Sequence, residues 1–149
     1  MKIQFPEFDR VFLTLSYKWL SDSTIKYLTQ TPDITKENQE KWFASIRDKD
    51  DYYIRGITVD DKPIGACGLK HITSEAGEYW GYIGERDFWG KGIGGRMMAF
   101  IEEYAKTLGL RQIYLQVLND NERAVRLYAK NGYEAVSEEE NMIKMVKQL

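Results

Sequence analysis

The sequence predicts a layered α/β or α+β domain with a mixed sheet. Three observations carry that expectation: segments of strand composition alternate with segments of helical period, turn residues punctuate them, and the length suits one core covering both faces of a modest sheet. At 149 residues we expect a single domain over 1–149.

The opening stretch, Phe5 to Leu20, mixes apolar and polar residues and reads as a short element followed by one or two helices. Tyr17, Trp19 and Leu20 start a helical face that Ile25, Tyr27 and Leu28 continue. Thr35, followed by Glu37, Asn38 and Gln39, marks the start of a helix carrying Trp42, Phe43 and Ile46, without forming a full capping box. Tyr53 to Val59 has strand composition. Asp60-Asp61-Lys62-Pro63 reads as a turn, and Ile64 to Leu69 as the hairpin partner.

After a polar connection at Thr73 to Gly77, the aromatic-rich run Glu78 to Gly84 reads as a strand whose two glycines mark a bulge or a close ligand approach. Gly90-Lys91-Gly92-Ile93-Gly94-Gly95 follows, and then a helix to about Leu108, with Met97, Phe100, Ile101, Tyr104 and Ala105 at helical spacing. Gly109 stops it. Arg111 to Val117 reads as a largely buried strand and Asn119 to Asn121 as a turn. A helix bearing Ala124, Val125, Leu127 and Tyr128 comes next, and Asn131-Gly132 ends it. Tyr133 to Val136 and Met142 to Val146 are strand candidates separated by an acidic turn at Glu138 to Glu140.

Composition excludes several functions. The 21 Lys plus Arg stand against 23 Asp plus Glu, a formal charge of -2, so we expect no general attraction to nucleic acid or anionic lipid. Apolar runs fall far short of the roughly 20 residues that cross a bilayer, and Met1 to Asp9 lacks the apolar core of a signal peptide. With one cysteine, Cys67, a disulfide framework is excluded, and the expected location is cytoplasmic. The sole histidine, His71, and Cys67 make no metal-spaced cluster, so no metal site is expected. Cys67 lies among Gly65, Ala66 and Gly68 and reads as a core thiol.

The informative arrangement is strand, glycine-rich turn, helix. A helix start exposes unpaired N–H groups and the positive end of its dipole, and glycines at 90, 92, 94 and 95 let the backbone approach a bulky anion. Lys91 adds charge at the rim of this phosphate or pyrophosphate cradle. A nucleotide P-loop is unlike it, because Lys91 is not followed by Ser or Thr. Gly90-x-Gly92-x-x-Gly95 matches a dinucleotide spacing, but the remaining length does not supply a two-halved Rossmann domain. A tight turn without ligand is a further alternative.

Two motifs resemble the GCN5-related N-acetyltransferase (GNAT) family: Tyr82-Ile83-Gly84 through Trp89-Gly90-Lys91-Gly92-Ile93-Gly94-Gly95, and Asn121-x-x-Ala124-x-x-x-Tyr128-x-x-x-Gly132-Tyr133. The match in organisation covers about residues 50 to 146. In the family's loop the opening position is usually Gln or Arg; here it is Trp89, with Gly92 and Gly94 at the two small positions. The resemblance implies a mostly antiparallel central sheet flanked by helices, and residues 78–132 as the acetyl-CoA-binding core. It also implies that acetyl moves from acetyl-CoA to a primary amine within a ternary complex. It sets the pyrophosphate over Trp89, Gly90, Lys91, Gly92, Ile93, Gly94 and Gly95, the pantetheine arm beside Tyr82, Ile83 and Gly84, Asn121 near the cofactor and Tyr128 near its sulfur.

A phenol near the sulfur donates a proton to the departing thiolate, although Tyr128 also suits a packed aromatic and Asn121 a helix cap. The amine must lose a proton. Glu78 is the leading acceptor, since some related enzymes carry an acid there; a solvated or substrate-binding acid is the alternative, and His71 is a weaker candidate base than a turn support. A backbone N–H near Ile83 suits the developing oxyanion. Residues 1–50 are expected to form the acceptor side. The expected partner is a small-molecule amine, with an amino sugar or nucleotide-linked amino sugar favoured over a polyamine or a protein N-terminus. A non-catalytic acyl-CoA sensor is the contrasting reading. A monomer or a homodimer is expected.

Overall fold

Short polar side chains decide where the first helices begin. The computed structural model describes residues 1–149. After a two-residue strand β1 (Ile3–Gln4), helix α1 (Arg10–Leu20) starts at Asp9, whose Oδ1 accepts from the N–H groups of Val11 and Phe12 at 3.0 and 3.3 Å. Its buried face is Phe12, Leu13, Ser16 and Trp19, the spacing of a single helical stripe. Of the one or two helices expected over this stretch, two are present. Asp22 caps a separate helix α2 (Ser23–Leu28) by accepting from Thr24 and Ile25, so the chain restarts where a carboxylate can satisfy two orphan donors. Thr35 caps α3 (Lys36–Ile46) through Asn38, as expected.

Strand β2 (Tyr53–Val59) pairs antiparallel with β1, Ile3 opposite Val59. The turn to β3 (Lys62–Lys70) is shorter than expected. Asp60 and Asp61 adopt left-handed φ of 49° and 69°, a two-residue reversal, and Lys62 and Pro63 already belong to the strand. Strand β4 (Ala76–Ile83) is followed by a 3-10 turn at Arg86–Phe88 and by α4 (Ile93–Thr107). Then come β5 (Gln112–Leu118), α5 (Glu122–Lys130), β6 (Glu134–Glu139) and β7 (Met142–Gln148). The expected acidic turn lies further along. Glu138 and Glu139 are strand residues, and Glu140 and Asn141, at φ 47° and 72°, make the reversal. Left-handed backbone at two consecutive residues suits a tight hairpin, and β6 tolerates its glutamates because every one of its residues is exposed.

The hydrogen-bonded strand order is β1-β2-β3-β4-β5-β7-β6, and the sheet is mostly antiparallel, with helices flanking it. The β4–β5 pair is parallel, whereas β5–β7 and β6–β7 are antiparallel. The chain divides into two compact units, one of residues 1–68 and 81–93, the other of 69–80 and 94–149.

In the first unit, Phe8 packs on Phe12, Trp42 and Phe43 with ring centroids 5.7, 5.7 and 6.2 Å away. Ile57, Ile64 and Cys67 are fully buried there. Burial pushes the Cys67 thiol up to about 12, which fits the expected core thiol, because the reactive form is the thiolate. In the second unit, Met97, Ile101 and Ala105 form the buried stripe of α4, and Ile113, Leu115 and Met145 are buried on the strands. Fully burying an isoleucine, leucine or methionine side chain of this kind contributes about 1.5–3 kcal/mol. Gly94 sits where an added Cβ would come within 2.7 Å of Leu127 Cδ2, so α4 and α5 approach through a missing side chain. No helix is long and apolar enough to cross a membrane.

Candidate active site

The end of β4 is fixed by bonds that leave the following turn outside the sheet. Gly84 N–H donates to the Ile64 carbonyl at 2.6 Å, and the Trp89 indole N–H donates to the Ile83 carbonyl at 2.9 Å. Trp89 therefore ties the turn back to the strand it has just left. Tyr82 packs edge-on against the buried Trp19 at 6.2 Å, and burial holds its phenol above the usual range. The Trp19 indole donates to Glu85 Oε2 at 2.6 Å. Cations line this segment: Arg86 lies over the Trp89 ring at 5.6 Å, and Lys62 and Lys91 lie over Phe88 at 5.6 and 5.4 Å.

Two glycines then take a conformation that other residues avoid. Gly90 and Gly92 have φ of 75° and 80°, and a Cβ added at either would meet nothing within 4 Å. Their absence of side chains is therefore not forced by packing. Left-handed residues alternating with ordinary ones gather backbone N–H groups into an anion-binding concavity, and α4 begins immediately afterwards. Gly92 precedes the buried Ile93 and has no side chain with which to cap the helix.

Glu78 lies at the last rung of the parallel β4–β5 ladder, opposite Tyr114; β4 continues to Ile83 and β5 to Leu118 without further pairing to each other. The residue is buried, 7% exposed. His71 Nδ1 is 3.0 Å from Glu78 Oε1 and Lys70 Nζ is 3.9 Å from Oε2. Burial first, and the Glu78 charge second, raise the Tyr114 phenol above its ordinary value.

The next residue, Tyr79, projects to the opposite face of the strand, since successive strand side chains alternate. Its ring packs edge-on against Tyr128 at 6.3 Å, and Tyr133 packs against the same Tyr128 ring at 6.3 Å. Burial pushes the Tyr128 phenol up to about 12, so it stays protonated far above neutral pH. Asn121 is the N-cap of α5: its Oδ1 accepts from Ala124 N–H at 3.3 Å. The structure thus brings Tyr128 to Tyr79 rather than to the Glu78 carboxylate, which faces the other way. Sequence reasoning missed Tyr79 and Tyr133 as the walls around Tyr128; the Gly132-Tyr133 pair at the end of the second motif was the available signal.

The model of the acetyltransferase (GNAT) family matches residues 15–133. This chain belongs to the GNAT family. An uncharacterized N-acetyltransferase of Methanocaldococcus jannaschii is 31% identical over 115 residues, covering 73% of this chain and 50% of the relative, so this chain spans half of that relative's length. Among solved structures, spermidine N-acetyltransferase from Vibrio cholerae in complex with CoA and spermine superposes with a TM-score of 0.90 at 19% identity, over 98% and 95% of the two chains. The Campylobacter jejuni N-acetyltransferase PseH in complex with acetyl coenzyme A gives 0.77 at 17%, over 99% of each. At these identities the likeness establishes the GNAT fold. In this GNAT chain the opening position of the glycine loop is filled by an indole whose N–H donates to the Ile83 carbonyl at the end of β4.

Proposed function

We propose that this chain binds acetyl-CoA and transfers its acetyl group directly to a primary amine. The observation that carries the reading is the Trp89–Gly95 segment: left-handed glycines with open space, Lys91 beside them, and a helix start without a capping side chain at Gly92. Such a segment suits a pyrophosphate, whose charge pairs with backbone N–H groups and the helix dipole. The structural neighbours crystallised with CoA or acetyl-CoA support the same ligand class.

When bound, acetyl-CoA supplies a thioester carbonyl open to attack by an amine. Tyr128 is assigned the proton for the departing sulfur, since its phenol remains protonated. Glu78 is assigned the amine proton. It lies on the opposite face of β4 from Tyr79 and its partner Tyr128, so the proton acceptor and the proton donor approach from different sides. The Ile83 N–H is assigned to the carbonyl oxygen, with the pantetheine arm along Tyr82–Gly84 and Asn121 contributing through its side-chain amide. Residues 78–132 form the CoA-binding core, and residues 1–50 supply the acceptor side.

Among acceptors we favour an amino sugar or nucleotide-linked amino sugar. The polyamine reading draws on the fold likeness to a spermidine N-acetyltransferase that holds spermine. The deciding experiment presents amino-sugar nucleotides, polyamines, aminoglycosides and N-terminal peptides with acetyl-CoA, reading free CoA and product mass. One amine class is expected to give stoichiometric acetylated product. Saturable CoA binding with no acceptor-dependent thiol release would show a sensor instead.

A further inference from the structure

We propose that His71 is the exit for the proton that Glu78 takes from the acceptor amine, a positioning residue acting through Glu78. The proposal rests on the reading of Glu78 as proton acceptor.

A base that turns over must lose its proton after each cycle. The Glu78 side chain is only 10% exposed, so its direct exchange with bulk water is restricted, whereas the imidazole bonded to it is 64% exposed. One end of a 3.0 Å contact is therefore buried and the other reaches solvent. His71 follows the last residue of β3 with a left-handed φ of 53°, an uncommon conformation for a residue with a side chain.

The charged and titratable groups facing Glu78 are few. Lys70 Nζ stands 3.9 Å from Oε2. Tyr114 faces Glu78 from β5, and Lys144 of β7 lies over the Tyr114 ring at 4.9 Å. Of the groups facing Glu78, the imidazole alone lies within hydrogen-bond distance of the carboxylate and reaches solvent, and it has one ring nitrogen to take a proton and a second to release one. The transfer balances without a co-reactant. The amine N–H bond breaks and an O–H bond forms on Glu78; that proton passes from Oε1 to Nδ1 of the imidazole in its Nε2–H tautomer; the Nε2 hydrogen then leaves to water.

The test compares His71→Gly, Glu78→Gln and the double variant with the wild type, using acetyl-CoA and whichever amine the acceptor panel identifies. Glycine suits a φ of 53°, so His71→Gly keeps the fold and leaves room for added imidazole. We expect kcat to fall about tenfold in His71→Gly, less than the roughly 10²–10⁴-fold of losing a base itself. The KM for acetyl-CoA should hold, the acidic limb of the kcat profile should move, and imidazole should restore the rate. In the Glu78→Gln background the loss of His71 should add nothing. A His71→Gly rate equal to wild type at every pH, or a loss that imidazole does not repair, overturns the exit role while a large Glu78→Gln loss leaves Glu78 as the base. A Glu78→Gln enzyme with an unaltered profile overturns the base reading itself.

Discussion

The two ends of α4 carry glycines of the same geometry with opposite surroundings. Gly92 precedes the helix at φ 80° and Gly109 follows it at φ 75°, and neither would bring an added Cβ within 4 Å of another atom. At the C-terminal end the conformation is explained inside the chain. Gly109 N–H donates to the Lys106 carbonyl at 3.0 Å and Leu110 N–H to Ala105 at 3.2 Å, the paired bonds of a Schellman stop, with Leu110 and Ala105 both buried behind it. At the N-terminal end the helix presents donors instead of acceptors, and the residue at the cap position has no side chain to meet them. The same left-handed glycine conformation thus closes a helix in one place and, on the proposed reading, prepares an anion site in the other.

Holding the cofactor and transferring the acetyl group are separable properties of this site. Tyr128→Phe should lower kcat by about 100-fold and leave CoA affinity, measured by calorimetry, at the wild-type value. With the phenol at about 12, the donor form is present throughout the neutral range and is lost only as pH rises toward that value. An alkaline limb near neutrality in the wild type would therefore belong to another group, and an unchanged Tyr128→Phe rate would remove the acid role.

Gly92→Val forces a β-branched residue into the left-handed region, and about 1–3 kcal/mol of strain should weaken CoA by about tenfold to a hundredfold. Gly109→Val should leave affinity unchanged; equal losses from both would break the contrast. In thermal melts, Gly92→Ala and Gly109→Ala should cost similar stability, about 1 kcal/mol each, or about 2–4 °C in Tm for a domain of this size. A large difference between them would mean that one turn is held by something other than backbone conformation. The smallest effect is expected from Lys91→Gln, a few-fold loss of CoA affinity that shrinks as salt is added, because the charge is exposed and screened.

The glycine turn was legible in the sequence because four glycines follow a strand and open a helix; the packing demand at Gly94, set by Leu127 of α5, was not. Strand β2 was legible to its ends, since β-branched and aromatic residues fill it and Asp60 closes it. Whether α1 and α2 are one helix or two was not decided by the pattern, because Trp19 and Ile25 both point inward and hide the restart that Asp22 imposes. The β6–β7 turn was placed too early for a related reason: a run of glutamates reads as loop, yet an exposed edge strand accepts it. At the site, Asn121 was read as cap or cofactor contact, and the cap bond is present. The His71–Glu78 contact was illegible. The pair stands seven positions apart, and the left-handed backbone at His71 and the return through Thr73–Ala76 bring them together. The Trp89 to Ile83 bond likewise depends on a 3-10 turn between them that has no strong signature.

Backbone amides at the head of α4 are the centre of the account, and amide chemical shifts during a CoA titration report on them directly. Saturable shifts largest at Gly92, Ile93, Gly94 and Gly95, with Gly109 unmoved, are the expected result. Saturable binding that leaves those amides still, or no binding by the folded protein, would contradict it.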